Sequence, residues 1–338
     1  MKSITRNIMQ NNPLSLFPEI TPFYSDSLYR DQLHHIFYEV SGNPDGYPVV
    51  FLHGGPGSGT NPSQRRFFDP SFYKIILIDQ RGCGSSKPQG SIINNTTRHL
   101  VADIEAIRIQ LKIDQWLVFG GSWGSTLALN YAIAHPKKVS GLILRGIFLS
   151  RQSELNWFLG DINHFYPDVW QRLLDFLPPN QHDDVLTAFS EQIFNDDPAI
   201  NRPAAAVWNA YESAIMRLLP SAIENETKTE NESQALVEAK EDLEVARARI
   251  QIHYIKHSCF IDGDAVLKQC ANLDHIPTTI VQGRYDMVCP PKSAWDLSRV
   301  MPHATFIMVP DAGHSAMETG VVSALVGATE QFKNNQLK

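Results

Sequence analysis

The chain has 338 residues, 43% apolar, 10% aromatic and 19% charged, a composition that excludes disordered, collagen-like and fibrous classes and suits one large domain with a second element. Its 36 acidic and 29 basic side chains leave a formal charge of -7, which argues against binding duplex nucleic acid, a role that needs a basic face. Cys83, Cys259, Cys270 and Cys289 show no close pairing, so neither a disulfide scaffold nor a zinc knuckle is expected, and a reducing compartment is. No apolar run reaches the roughly 18 residues of a membrane span, and the first residues lack the apolar core of a signal peptide. The expectation is a soluble cytoplasmic protein, in which the sequons at Asn95, Asn225 and Asn231 carry no meaning.

In chain order, residues 35–40 (HIFYEV), 48–52 (PVVFL) and 74–79 (KIILID) have strand length and β-branched content. Leu100, Ile104, Ile107 and Leu111 then share one helical face. Residues 115–119 (QWLVF) read as a strand, residues 125–134 as an Ala/Leu-rich helix and residues 139–144 (VSGLIL) as another strand. Strands separated by helices predict a mostly parallel, doubly wound α/β sheet. The alternation stops near Ser150 and resumes near Ile276 with IPTTIVQG, a helix after Pro291 and ATFIMVP. Between lies a mainly helical insert with Trp157, Trp170 and Trp208, a polar run over residues 224–234 expected as a solvated loop, and a helix over residues 235–257. The expected division is a catalytic domain of residues 1–149 and 260–338 with a helical cap of residues 150–259, seated over the sheet edge where ligands bind.

The strongest local signal is GGSWGS at residues 120–125, which holds a G-x-S-x-G nucleophile elbow between a strand and a helix. Glycines flank the serine because the strained turn leaves no room for side chains. A serine hydroxyl needs a base and a carboxylate that orients it. Asp286 in GRYD and His314 in AGHS each follow a predicted strand, in the chain order Ser, Asp, His of this architecture. Asp311, on the histidine's own loop, is a weaker rival acid. An oxyanion needs two donors. Trp123 N–H, after the nucleophile, and Gly55 N–H, in the HGGPG loop of residues 53–57, are the candidates. No phosphate-binding glycine motif occurs, and the chemistry requires no metal or organic cofactor.

HGGPG, DQRGCGSS at residues 79–86, GGSWGS, LRGIF at residues 144–148, GRYDMVCPP and AGHSA together resemble the proline iminopeptidases, serine peptidases of the α/β-hydrolase fold. The resemblance implies Ser122, Asp286 and His314 as the triad and short peptides with N-terminal proline as substrates. It also implies Glu212, in WNAYES, as a cap carboxylate for the free amine, and Phe148 and Phe158 as walls of a proline-ring pocket. A second family glutamate is here Gln251, in ARIQIHY. Exchanging a charged for a neutral partner costs about 1 to 2 kcal/mol of amine recognition. Glu244 lies two helical turns upstream, roughly 10 Å along the axis, too far to replace it directly. Competing expectations are a capped carboxylesterase or an aminopeptidase of broader specificity, and a catalytically inactive hydrolase fold that serves as a binding module.

Overall fold

Among the described residues, 13–219 and 234–338 of a computed structural model, eight strands form a single sheet. They are β1 (Tyr24–Arg30), β2 (His34–Gly42), β3 (Tyr47–Leu52), β4 (Tyr73–Ile78), β5 (Trp116–Gly121), β6 (Val139–Arg145), β7 (Thr278–Gly283) and β8 (Thr305–Val309). Their order is β1-β2-β4-β3-β5-β6-β7-β8. From β4 to β8 every pairing is parallel, and these strands read as continuous apolar runs because helices cover both faces. The first two strands depart from that pattern. β2 runs antiparallel to both β1 and β4, since the four residues between β2 and β3 are too few for a crossover. β1 escapes sequence inspection because its first four residues are all exposed, as suits an edge strand.

Helices α1 (Thr97–Gln110) and α2 (Trp123–Ala134) cover one face. Leu100, Ile104 and Ile107 of α1 are buried there, each contributing about 1.5–3 kcal/mol. The expected insert contains α3 (Gln152–Phe158), α4 (Pro167–Asp175), α5 (Val185–Ile193), α6 (Pro198–Ala214) and α7 (Gln234–Lys256). These helices share their own apolar cluster around Trp208, Phe189 and Ile252. The chain then returns through α8 (Gly263–Gln269) and α9 (Pro291–Val300) to α10 (Thr319–Gln336), which packs on the opposite sheet face through Val321, Leu325 and Phe332. Apart from Gln234, the polar run of residues 224–234 lies outside the described residues, as do Asn225 and Asn231. Asn95 is buried, donating to Arg81 O and Ser91 O and accepting from Tyr254 O–H. No helix among the described residues is long and apolar enough to cross a membrane.

Candidate active site

β5 runs directly into α2, and Ser122 occupies the joint with φ 58° and ψ −128°. A non-glycine residue in that region carries about 1–3 kcal/mol of strain. The turn is held by Ser122 N–H donating to Arg145 O at 2.8 Å, and by the flanking glycines. A Cβ on Gly124 would overlap the Leu52 carbonyl, and one on Gly120 the Gly124 carbonyl. Both obstacles are backbone and cannot move aside. Gly124→Ala is therefore expected to lower unfolding stability by at least about 3 kcal/mol, read from urea denaturation. A loss below about 1 kcal/mol would show that the elbow tolerates a wider gap.

The parallel register brings the other chemical groups to the same edge. Gly121 lies beside Arg145, Arg145 beside Val281, and Gly283 beside Val309, so the loops after β5, β7 and β8 emerge together. Asp286 and His314 meet there, with His314 Nδ1 2.8 Å from Asp286 Oδ2 and 2.9 Å from Oδ1. The carboxylate also accepts from Gln282 Nε2 at 3.0 Å, Val288 N at 3.1 Å and Cys289 N at 2.8 Å. Asp311, on the same loop as His314, is exposed.

Because Nδ1 faces an acceptor it carries the proton, and Nε2 is left as a lone pair. Arg145 Nη1, a donor only, lies 3.2 Å from Nε2 and 2.8 Å from His314 O. Ser122 Oγ faces Cys289 Sγ at 3.9 Å. The structure thus joins acid to base, while the serine hydroxyl and the base nitrogen each face another neighbour. Burial and the Asp286 carboxylate push the Cys289 thiol well up, which keeps it protonated.

The HGGPG loop lies against the elbow, where a Cβ on Gly54 would stand 3.2 Å from Ser122 Cβ. Gly55 takes φ 109°, and a Cβ there would meet Gly57 N at 2.6 Å, so only glycine fits. Gln80 locks this loop to α2. Its backbone N–H donates to His53 Nε2 at 3.0 Å, its Nε2 donates to His53 O at 2.9 Å, and its Oε1 accepts from the Trp123 indole at 2.8 Å. His53 therefore holds its proton on Nδ1, toward Gly54 O. Burial lowers its pKa and keeps it neutral.

Above this loop, Glu212 of α6 is only 5% exposed. Its Oε1 accepts from Gln251 Nε2 at 3.0 Å and its Oε2 from Arg247 Nη2 at 2.8 Å. Gln251 Oε1 accepts from Trp208 Nε1 at 2.6 Å, and Gln251 Nε2 also lies 3.5 Å from Gly55 O. Gln251 is thus the link between Glu212 and the HGGPG loop. Glu244 lies at the rim of this group, accepting from Asn209 Nδ2 at 2.6 Å. Phe158 packs in the helical cluster against Trp208 and Tyr211, whereas Phe148 is half-buried between that cluster and the sheet core. Gln80 and Arg145 fall within the DQRGCGSS and LRGIF motifs, but the sequence assigns no role to them or to Arg247 and Gln282, because ordinary polar residues reveal their partners only once distant segments meet.

Residues 47–321 match the family model described as alpha/beta hydrolase fold. A putative lipase from Acinetobacter baumannii AYE has the same fold, with a TM-score of 0.60 at 16% identity, covering 93% of this chain and 91% of that one. The class defined by fold and site is therefore an α/β hydrolase. A probable proline iminopeptidase of Leptolyngbya boryana is 47% identical, covering 94% of this chain and 96% of that protein. The proline iminopeptidase of Arabidopsis thaliana is also 47% identical, with 95% and 83% covered. That of Neisseria gonorrhoeae is 43% identical, with 92% and 96% covered. The chain belongs to the proline iminopeptidase family.

Proposed function

We propose that this enzyme releases N-terminal proline from short peptides through a serine nucleophile. The observation that carries the reading is the buried carboxylate of Glu212, separated by one side chain from the oxyanion loop. In this reading Glu212 holds the substrate's secondary ammonium with the adjacent carbonyl turned toward Ser122, and charge-assisted hydrogen bonds are the strong ones. As substrate enters, Ser122 Oγ turns from Cys289 to His314 Nε2, and Arg145 Nη1 releases that nitrogen while keeping its bond to His314 O. The hydroxyl attacks the prolyl carbonyl while Nε2 takes its proton, and Asp286 stabilises the imidazolium so formed. Gly55 N–H and Trp123 N–H receive the developing oxyanion. His314 then passes the proton to the leaving amine, and water, activated by the same nitrogen, hydrolyses the prolyl ester.

In this reading residues 150–259 act as a cap that excludes internal peptide segments, with Phe148 and Phe158 on the side of the proline ring. The proposed setting is the cytoplasm, which suits four free buried cysteines. The test is kcat/KM on prolyl-, alanyl- and leucyl-naphthylamide beside p-nitrophenyl acetate. All three naphthylamides bring an ammonium to Glu212, so a prolyl preference of about tenfold or more is expected from the ring side of the pocket, at Phe148 and Phe158. Ester turnover with no prolyl preference would instead identify a capped esterase, and no turnover of any substrate a binding module.

A further inference from the structure

The amine site carries its own cation. Arg247, on α7, reaches Glu212 with Nη2 and stands 3.9 Å from Glu244 Oε2 with Nη1. A guanidinium offers five N–H donors, yet Arg247 Nε is buried with no partner among the described residues. Its close hydrogen bond is to Glu212, and Glu244 is the looser contact. Arg247 and Glu244 also line a cavity of about 230 Å³, together with Gly57, Gly84 and Gln89. With Gln251 neutral, the Glu212–Arg247 pair has no net charge, so a substrate ammonium arrives at a carboxylate already neutralised.

We propose that Arg247 is a specificity-determining residue that competes with the substrate ammonium for Glu212. On binding, the ammonium takes the carboxylate and the guanidinium moves toward Glu244 and the cavity. The free enzyme is thereby divided between a paired form and an amine-ready form, and apparent affinity falls by the fraction that is ready. Only substrates that displace the guanidinium gain from Glu212. The inference rests on Glu212 as the amine site.

The test compares wild type with Arg247→Met, Arg247→Gln, Arg247→Lys and Glu244→Gln on prolyl-naphthylamide, with p-nitrophenyl acetate as a reference that lacks the amine. Arg247→Met and Arg247→Gln are expected to raise the prolyl-to-acetate ratio of kcat/KM by about tenfold, through KM. Arg247→Lys retains the competing charge and stays within about twofold, whereas Glu244→Gln, which removes the second berth, lowers the ratio. In a Glu212→Gln background, Arg247→Met brings no gain, the signature of an effect exerted through Glu212. An unchanged or lower ratio in both neutral variants, with ester turnover intact, would overturn the proposal. Ester turnover without any prolyl preference in wild type or in Arg247→Met would overturn the amine-site reading itself, and the Arg247 assignment with it.

Discussion

Ser122→Ala is expected to lower kcat/KM on prolyl-naphthylamide by about 10,000-fold or more, because the residual rate of a triad enzyme without its nucleophile comes from binding and the oxyanion donors alone. Single-turnover kinetics with purified protein check this, and more than about one per cent of wild-type activity would place the nucleophile elsewhere. The companion Ser122→Gly separates chemistry from architecture. It is equally inactive, yet it relieves the strain of φ 58° and ψ −128° and is expected to stabilise the fold by about 1 kcal/mol after the entropy cost of glycine. The sign is what matters. A less stable glycine variant would mean that the elbow is relaxed and that its conformation is not held against a backbone preference.

The second large effect is expected at Glu212. Replacement by glutamine keeps the shape and removes the anion, so prolyl-naphthylamide loses roughly 100-fold or more in kcat/KM, while p-nitrophenyl acetate, which brings no ammonium, retains most of its rate. The substitution also takes from Arg247 the nearer of its two anionic partners, leaving Glu244 Oε2 at 3.9 Å. The arginine side chain keeps 27% of its surface exposed, so hydration offsets part of the loss and the stability change stays near 1 to 2 kcal/mol. Equal losses on both substrates would show that Glu212 supports the fold of the site and does not select the amine.

Much of this arrangement is written locally. The helical face of Leu100, Ile104 and Ile107, the apolar runs of β3, β4 and β5, and the glycines around Ser122 are each legible because a period or a steric demand acts over a few residues. The chain order of Ser122, Asp286 and His314 also points to one edge, since parallel strands end on the same side. β1 was not legible, because an exposed edge strand needs no apolar alternation.

Charge pairing at the site lies beyond what a local pattern carries. Arg247 sits in a helix rich in charged residues, and nothing in VARARIQ distinguishes it from Arg249. The fold sends Arg247 to Glu212 and Arg249 to the carbonyls of Ile193 and Asn195. Likewise Arg145 reads as the polar end of a strand until His314 returns beside it. The sequence by itself determined the parallel part of the sheet, the elbow and which residues stand at its edge, because backbone sterics and apolar periodicity are local. Only the tertiary structure decided which charges neutralise one another and which neighbour each reactive atom faces, because those pairings join residues far apart in the chain and form only where packing brings them within hydrogen-bonding reach.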